Sequence, residues 1–387
     1  MIKGHGDDIF SYDGIRHNFS SNIVIRTDLD ALFEHLNRQM PRISSYPEPD
    51  AASLTRLWAS SMHIQAENLC VTNGATEAIY LIAQVYRESV STIFVPTFSE
   101  YADACRINRH TIREAYSVSN LNSQLSIFNF QLKDGLCWLC NPNNPTGKVF
   151  DHDWLTDLIE SHPRCIFIID QSYAPYTLKR VIDVEWAVQQ PNVLLLHSMT
   201  KQFGVSGLRI GGVSGHPGLI RQLRLFLMPW SVNELAVEAG KFLLQNQWPQ
   251  ANVDCKMVNG KWSNGKWSNG KWSNGKWSNG KWSNGKWSNG KYINAAQLIS
   301  ERERVAAAFE ATRLIDVWPS DSHMLLSRLR TGKAQALKDY LATERGILIR
   351  DASNFAGLDA GCFRIAVQSR EANDLLIESI REWIFSI

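Results

Sequence analysis

The sequence predicts an α/β protein with a large domain built on a mostly parallel sheet and a smaller α+β domain towards the C-terminus. Short runs such as 165–170 and 193–198, apolar almost throughout, alternate with longer stretches of helical periodicity. Runs of this kind are typical of strands that helices cover on both faces. At 387 residues the chain is long enough for two domains and a large buried core.

The apolar and helical patterns place the elements along the chain. In the large domain we expect strands at 68–72, 92–96, 136–140, 165–170, 193–198 and 210–214, and helices at 75–88, 151–161 and 233–247. Asp151 is the expected N-cap of the second helix. In the small domain we expect helices at 297–311 and 371–385 around strands near 323–329 and 363–367. The predicted boundaries are 1–40 for an N-terminal segment, 41–255 for the large domain, 256–294 for an insertion and 295–387 for the small domain.

Composition and charge limit the class of function. Forty basic and thirty-eight acidic residues give a formal charge of +2, which does not favour a nucleic-acid partner. The first residues lack the apolar stretch of a signal peptide, and no run approaches the roughly 18 apolar residues of a membrane span. We therefore expect a cytoplasmic protein that binds neither nucleic acid nor membrane.

The cysteines predict reduced thiols rather than disulfides. Seven cysteines, an odd and scattered set, occur in this large chain. Cys137 and Cys140 have the spacing of a redox pair, but they lie in an apolar run that predicts a buried strand, whereas a redox pair usually opens a helix. Side chains three apart on a strand face opposite sides of the sheet. We interpret both as buried structural thiols.

A tandem repeat of Lys-Trp-Ser-Asn-Gly lies between the two domains. Six perfect copies fill positions 261–290, with a partial copy on either side. Glycine at every fifth position disfavours a helix, and a period of five matches neither helix nor strand. Asn-Gly steps favour turns, so we expect an exposed, mobile insertion, with chained tight turns as the alternative. The regular Trp and Lys residues could also bind a partner through stacking or cation–π contacts.

The strongest chemical signal follows the strand expected at 193–198. Ser198, Thr200, Lys201 and Arg209 come at and after its end. A lone lysine is usually a solvated charge, but one that follows a buried strand can lose water, acquire a lowered pKa and form a Schiff base. The two hydroxyls and the arginine suit a phosphate group.

Polar residues also follow the other predicted strands. Asp170 ends the strand at 165–170, where it can be a helix cap or can keep a pyridine nitrogen protonated. Asn144 lies in a proline-rich loop, where its amide can donate to a phenolic oxygen. Residues 72–77 join a strand to a helix, a geometry that receives phosphate. Residues 96–101 offer aromatic rings that could stack on a planar cofactor.

These segments, in this order, resemble the fold-type-I enzymes that use pyridoxal 5′-phosphate (PLP), and the resemblance covers nearly the whole chain except the repeat. It implies that Lys201 holds PLP as a Schiff base and that Asp170 pairs with the pyridine nitrogen. It also implies a homodimer with shared active sites and an N-terminal segment packed on the small domain and the active site. Gln171 departs from the family, in which many members have Glu. The other PLP contacts implied are Gly74, Ala75, Thr76, Phe98, Asn144, Tyr173, Ser198, Thr200, Arg209 and, from the other subunit, Tyr46.

Three further segments are similar to a narrower group, the decarboxylases that act on O-phospho-L-threonine in cobalamin biosynthesis. The first is His-Gly at 5–6 followed by Phe-Ser-Ser-Asn at 19–22, and the others are 228–236 and 347–359. The histidinol-phosphate aminotransferases are the near relatives and the alternative. Both handle phosphorylated substrates, so the resemblance implies Arg364 as ligand of the α-carboxylate, Arg350 as a phosphate ligand, and Asn22 and His5 as weaker candidates. No metal is expected. Packing and turn formation explain Trp230 and Asn354 as well as contact with the substrate does.

The residue pattern leaves the type of reaction open. Decarboxylation requires the bond from Cα to the carboxylate to stand perpendicular to the cofactor ring, and transamination requires the Cα–H bond there; nothing in the spacing decides between them. A third alternative is a binding or scaffold protein built on an inactive PLP fold, which the complete set of cofactor residues disfavours.

Overall fold

The computed structural model describes residues 6–24, 29–116, 132, 134–246 and 294–386, together with four short strand segments between 257 and 273. The strands are β1 (His17–Asn18), β2 (Leu69–Thr72), β3 (Val90–Val95), β4 (Thr111–Tyr116), β5 (Gly135–Cys140), β6 (Cys165–Asp170), β7 (Val193–Ser198), β8 (Gly211–Gly215), β9 (Met257–Val258), β10 (Lys261–Trp262), β11 (Lys266–Ser268), β12 (Lys271–Ser273), β13 (Ile315–Val317), β14 (Met324–Leu329), β15 (Ile347–Leu348), β16 (Arg350–Asp351) and β17 (Cys362–Ala366).

Twelve α-helices lie among the described residues. They are α1 (Asp30–Gln39), α2 (Ala52–Ser61), α3 (Gly74–Val85), α4 (Glu100–Ile107), α5 (His152–Ser161), α6 (Val184–Ala187), α7 (Met199–Phe203), α8 (Pro217–Arg224), α9 (Glu234–Gln245), α10 (Ala295–Glu310), α11 (Ala334–Arg345) and α12 (Arg370–Ser386). No helix in the described ranges is both long enough and apolar enough to cross a membrane.

A seven-stranded sheet in the order β2-β8-β7-β6-β5-β3-β4 forms the centre of the protein. The strands from β7 to β4 in this order pair in parallel, and β8 runs antiparallel to both of its neighbours, β2 and β7. Side chains alternate between two buried faces: Leu194 and Leu196 of β7 lie in one apolar cluster, and Leu195 lies in another. The strands are apolar because both faces of the sheet are covered, and the sheet is mostly parallel, as the sequence predicts.

A second, antiparallel sheet in the order β13-β14-β17-β16 lies in the C-terminal part. The N-terminal segment joins this part of the molecule, because β1 pairs in parallel with β15, with His17 opposite Ile347. Phe19 is fully buried, and its carbonyl oxygen accepts a hydrogen bond from the backbone N–H of Ala366 at 2.9 Å. The first residues therefore reach the interior through contacts with the last third of the chain.

The structure confirms the predicted fold class and the six predicted strands of the large sheet, which appear as β2, β3 and β5 to β8 with ends within two residues of those expected. It also confirms that Asp151 caps α5, because its side chain accepts a hydrogen bond from the backbone N–H of Trp154 at 2.9 Å. Cys137 and Cys140 are buried in β5 and belong to clusters on opposite faces of the sheet. The interpretation of this pair as structural thiols is thereby supported.

The sequence pattern missed β4, β13 and β16 and several helices, including α11. β4 is an edge strand with the sequence Thr-Ile-Arg-Glu-Ala-Tyr, in which only Ala115 is buried. An edge strand has one unpaired side and less apolar cover, so it lacks the apolar run by which the other strands are recognised. Of the repeat, the structure describes only β10, β11 and β12, with Trp267 opposite Trp272 across the last pair. The rest of the repeat, which we expect to be exposed and mobile, lies outside the described residues.

Candidate active site

A cavity of about 260 Å³ opens where the carboxyl ends of β5, β6 and β7 meet the N-terminus of α3. Open α/β sheets bind their ligands at this edge. The opposite wall comes from the N-terminal segment and from β17 of the second sheet. Of the residues predicted for the site, those that line the cavity are Asn22, Ala75, Thr76, Phe98, Asn144, Asp170, Tyr173, Ser198, Thr200, Lys201, Arg209 and Arg364.

Lys201 lies in the short helix α7, directly after the buried strand β7. Ser198 caps this helix, since its hydroxyl accepts a hydrogen bond from the backbone N–H of Lys201 at 3.4 Å. The hydroxyl of Tyr176 donates to the Lys201 carbonyl oxygen at 2.5 Å, and Lys201 Nζ donates to the Ser21 carbonyl oxygen at 2.9 Å. Burial, and then the positive charge of Arg364, lower the pKa of Lys201 to about 8. A useful fraction of this amine is therefore neutral and nucleophilic near physiological pH.

Asp170 is the last residue of β6, and hydrogen bonds hold both of its oxygens. The hydroxyl of Tyr101 donates to Oδ2 at 2.6 Å, and the backbone N–H of Ser172 donates to Oδ1 at 2.9 Å. Asp170 is nearly fully buried and Tyr101 is completely so. The two donors fix the orientation of the buried carboxylate. The side chain can therefore accept a hydrogen bond from a ring nitrogen in the cavity.

The side-chain oxygens of Asn144 and Tyr173 each accept a hydrogen bond from a neighbouring residue. Arg364 Nη1 donates to Asn144 Oδ1 at 2.6 Å, so the amide Nδ2 of Asn144 remains able to donate. Asn22 Nδ2 donates to the Tyr173 hydroxyl oxygen at 3.2 Å, so the Tyr173 proton is directed elsewhere. Burial raises the pKa of Tyr173, which keeps that proton in place. Both side chains can therefore donate to an oxygen in the cavity.

One end of the cavity has the features of a phosphate site. Gly74 begins the twelve-residue helix α3 with a positive φ of 76°, and a Cβ at this position would lie 2.5 Å from Arg209 Nη2. Only glycine therefore allows the Arg209 guanidinium to lie over the helix N-terminus. The Thr200 hydroxyl is buried and has no hydrogen-bond partner among the described atoms. Free backbone N–H groups, an arginine and an unused hydroxyl form an anion site.

Arg364 connects the two walls of the cavity. It lies in β17 and is 3 % exposed; besides its bond to Asn144, its Nη2 donates to the Ser20 carbonyl oxygen at 2.5 Å. Its Nε atom has no partner among the described atoms. Burial lowers the pKa of Arg364 to about 9, and the guanidinium remains cationic at neutral pH. A buried cation with an unused donor can bind a carboxylate.

The remaining predicted residues lie outside the cavity lining. Arg350 is buried beside it: Nη2 donates to Asn354 Oδ1 at 2.7 Å, and a Cβ on Gly6, a lining residue, would lie 2.9 Å from Arg350 Cδ. Tyr46 is 84 % exposed, and its ring lies 5.2 Å from that of Trp230. His5 lies outside the described residues. Gly74 does not line the cavity, but its lack of a side chain leaves room for Arg209, which does.

Sequence reasoning missed several residues that complete the site. Tyr101 follows Phe98 in the segment expected to supply a stacking ring, but its contact with Asp170 was not foreseen. Tyr176 holds the Lys201 backbone, and its ring stacks on that of His323 at 3.9 Å. Burial lowers the pKa of His323 to about 3, so its ring is neutral. The Ser20 and Ser21 carbonyl groups act through the backbone, so no residue type could have indicated them.

Comparison with known proteins places this site in a family. The sequence model described as aminotransferase class I and II matches residues 17–252 and 293–380. The crystal structure of L-threonine-O-3-phosphate decarboxylase from Porphyromonas gingivalis is 31% identical, with a TM-score of 0.79 over 95% of this chain and 99% of that chain. Threonine-phosphate decarboxylase of Salmonella typhimurium is 27% identical over 89% of this chain and 85% of the relative. Histidinol-phosphate aminotransferase of Caldanaerobacter subterraneus is 26% identical over 88% and 84%.

The fold and the family together define a PLP-dependent enzyme of fold type I. The chain belongs to the aminotransferase class I and II family. Its residues fit the cofactor. The Thr200 hydroxyl, which has no partner among the described atoms, and the Gly74 position beneath Arg209 suit the phosphate of PLP. The enclosed amine of Lys201 suits its aldehyde. The match of the family model omits residues 253–292, so the repeat insertion lies outside what the family shares.

Proposed function

We propose that this enzyme decarboxylates O-phospho-L-threonine to (R)-1-aminopropan-2-yl phosphate, a reaction of cobalamin biosynthesis. One observation carries the proposal: the structural relative that is 31% identical over 95% of this chain is an L-threonine-O-3-phosphate decarboxylase. The Salmonella decarboxylase, at 27% identity, supports the same activity.

In this proposal the large sheet supplies the residues that hold the cofactor. When bound, PLP supplies an electron sink for negative charge that develops at the substrate Cα. Lys201 would hold the cofactor through its amine, and Asp170 would accept the N–H of its pyridine ring. Asn144 and Tyr173 donate to its phenolic oxygen, which their contacts with Arg364 and Asn22 leave them free to do.

The phosphate and the ring of the cofactor are bound by a second set of residues. Phe98 would stack on the ring; its own ring centre lies 5.8 Å from that of Tyr101, with the two planes nearly perpendicular. The phosphate is held by the N-terminus of α3 and by side chains that follow β7, an arrangement in which the helix dipole and a guanidinium act together. These residues are Gly74, Ala75, Thr76, Ser198, Thr200 and Arg209.

Arg364 of the opposite wall and Arg350, which is buried beside the cavity, bind the anionic groups of the substrate. Arg364 binds the α-carboxylate, and Arg350 binds the substrate phosphate with Asn22 and His5. Arg350 and Arg364 lie directly opposite each other on the neighbouring strands β16 and β17. Two fixed anchor points prevent rotation of the substrate about its Cα–N bond, and that rotation decides whether a carboxylate or a proton leaves.

Lys201 then has a second role as a proton donor. Whenever it is not joined to the cofactor, its amine, with a pKa of about 8, would carry a proton at neutral pH. The protonated amine would deliver this proton to Cα once carbon dioxide has left, a step that formation of the amine product requires.

The alternative activity is that of a histidinol-phosphate aminotransferase. The Caldanaerobacter enzyme of that name is 26% identical over 88% of this chain, a similarity close to that of the Salmonella decarboxylase. All cofactor roles would be the same in both activities. The two differ in whether a keto acid is needed.

The decisive experiment is to incubate the purified enzyme with PLP and O-phospho-L-threonine, without a keto acid, and to follow release of carbon dioxide. Release by the wild type, and none by Lys201→Ala, is the expected result. No release, together with turnover of histidinol phosphate once 2-oxoglutarate is added, would contradict the decarboxylase proposal and support the aminotransferase.

The proposal includes a homodimer in which Tyr46 of each subunit completes the site of the other. Tyr46 does not line the cavity of its own chain. Its exposed ring lies beside the exposed Trp230, and Met228, Met40 and Ile43 are exposed as well. Exposed apolar groups of this size are typical of a surface that another protein covers.

Mixing two inactive variants tests the shared site. Lys201→Ala and Tyr46→Ala are each expected to be inactive or nearly so as homodimers. After unfolding and refolding together in equal amounts, about a quarter of the sites should have both residues intact in a twofold-symmetric dimer. Recovery of activity supports sharing; no recovery in mixtures shown to contain the mixed dimer contradicts it.

We also place the enzyme in the cytoplasm. The six described cysteines are all buried free thiols, which supports a reducing compartment.

A further inference from the structure

We propose that Tyr101 is a positioning residue for Asp170: its hydroxyl fixes the orientation of the carboxylate that meets the cofactor nitrogen, and a chain of buried residues behind it holds the Tyr101 ring in place. The inference rests on the proposed role of Asp170 as partner of the pyridine nitrogen. It holds for a decarboxylase and for an aminotransferase alike.

The contact between Tyr101 and Asp170 is short and buried. The hydroxyl lies 2.6 Å from Asp170 Oδ2, and both side chains are at least nine-tenths buried. The backbone N–H of Ser172 donates to Asp170 Oδ1 at 2.9 Å. With one donor on each oxygen, the carboxylate cannot rotate without losing a charge-assisted hydrogen bond. Lone pairs remain on both oxygens for a ring N–H.

The Tyr101 proton stays on the tyrosine. Complete burial, followed by the neighbouring charge of Asp170, raises the pKa of Tyr101 well above its ordinary value. Tyr101 therefore remains a hydrogen-bond donor to Asp170. A carboxylate held in this way can accept the N–H of a protonated pyridine ring.

Two aromatic rings hold the Tyr101 ring. Trp138 of β5 stacks against it, with ring centres 5.7 Å apart and planes inclined by 22°, and Phe98 approaches at 5.8 Å with planes inclined by 86°. Tyr101 and Trp138 are both fully buried, with 1% or less of their surface exposed. Because these neighbours are close-packed, the hydroxyl cannot swing away from Asp170 without opening a cavity.

Trp138 is itself fixed by a hydrogen-bond chain with a single possible direction. Its indole Nε1 donates to Ser91 Oγ at 3.2 Å, Ser91 Oγ lies 2.8 Å from His110 Nδ1, and His110 Nε2 lies 2.8 Å from the Ala83 carbonyl oxygen. An indole can only donate and a carbonyl can only accept. His110 Nε2 therefore carries the ring proton, and Ser91 donates to Nδ1. Burial lowers the pKa of His110, which keeps the ring in this neutral form.

The test compares Tyr101→Phe with Tyr80→Phe. The first change removes the hydroxyl from Asp170 and keeps the ring. The second removes a hydroxyl that donates to Glu100 Oε2 at 2.7 Å, outside the cavity lining, and is the matched control. We measure the dissociation constant of PLP and the pH dependence of the absorbance of bound cofactor, for which no substrate is needed. Circular dichroism checks that both variants fold.

The expected result is a roughly ten- to hundredfold weaker PLP affinity for Tyr101→Phe, which is the usual effect of losing a hydrogen bond to a charged group. We also expect an altered pH profile of the bound cofactor's absorbance, which a merely structural role would leave unchanged. Tyr80→Phe should match the wild type in both. Wild-type affinity and pH profile in Tyr101→Phe would overturn the proposal.

A double-mutant cycle with Asp170→Asn covers the case in which Tyr101→Phe weakens binding by perturbing packing. If Tyr101 acts through the carboxylate, its substitution should have little further effect on PLP affinity once Asp170 is an amide. Equal losses with and without Asp170→Asn would overturn the proposal. Because none of these readouts uses phosphothreonine, failure of the decarboxylase proposal would leave this test intact.

Discussion

The two walls of the cavity are built in different ways. The wall formed by the large sheet takes its polar groups from residues that directly follow buried strands, such as Asp170 after β6 and Lys201 after β7. The opposite wall joins the N-terminal segment to β17: Arg364 bonds the Ser20 carbonyl oxygen, 344 residues away along the chain. The first wall depends on local strand-to-loop geometry, and the second depends on long-range packing. We therefore expect the first to govern cofactor binding and the second to govern the substrate.

The largest expected effect is that of Lys201→Ala on the first wall. Removing the amine removes both the covalent attachment and the proposed proton donor, so turnover should fall by about a thousandfold or more. PLP should still bind noncovalently through the phosphate site and Asp170. Steady-state assays measure the first effect, and reduction with borohydride followed by mass spectrometry measures the loss of covalent cofactor. Substantial turnover by this variant would contradict the assignment of Lys201.

Arg364→Lys tests the residue that connects the walls. Lysine keeps the charge but loses the planar pair of donors that reaches Asn144 and Ser20. We expect kcat/KM for the phosphorylated substrate to fall by roughly a hundredfold. The absorbance of bound PLP should also shift, because Asn144 loses the contact that orients it. An effect on the substrate alone would show that the two walls act independently.

The pH dependence of cofactor attachment tests the enclosure of Lys201. Only the neutral amine attacks the aldehyde of PLP, and burial places its pKa at about 8, below the ordinary value of 10.5. The attachment rate of the apoenzyme should therefore rise about tenfold per pH unit below pH 8 and become constant above it. Stopped-flow absorbance measures this rate. A rise that continues to pH 10 would show that the amine is exposed to water.

Lys338→Met affects the second wall alone. Lys338 lies in α11 and is 5 % exposed. Its Nζ lies 2.5 Å from Asp8 Oδ2, and this ion pair connects the N-terminal segment to α11. Methionine fills a similar volume without the charge. We expect KM to rise severalfold, in keeping with the modest strength of a partly exposed ion pair, while PLP affinity stays at the wild-type value. A drop in PLP affinity of the same size would contradict the division between the walls.

Deletion of residues 261–290 should have the smallest effect, because the family match leaves out this region. We expect kcat/KM and PLP affinity within about twofold of the wild type. A larger change in either value would connect the repeat to the site. Loss of a bound partner with unchanged turnover would instead support a binding role for the repeat.

Nearly all of the first wall could be predicted from the sequence alone. The six strands, the lysine after β7, the carboxylate after β6 and the glycine that opens α3 all follow from apolar runs and from the residues directly after them. Such signals are readable because strand, turn and helix N-terminus are local, and because the ends of parallel strands necessarily meet at one edge of the sheet.

The contacts that build the second wall, and those that support both walls, became apparent only in the folded structure. The contacts of Arg364 with Ser20, of Lys201 with Ser21, and of Tyr101 with Asp170 join residues 344, 180 and 69 positions apart. Two of them end on backbone carbonyls, which every residue has, so no side-chain pattern could reveal them. The third needs a ring held at one distance by its packing. Contacts of this kind depend on which segments the folded chain brings together, and a linear pattern does not contain that information.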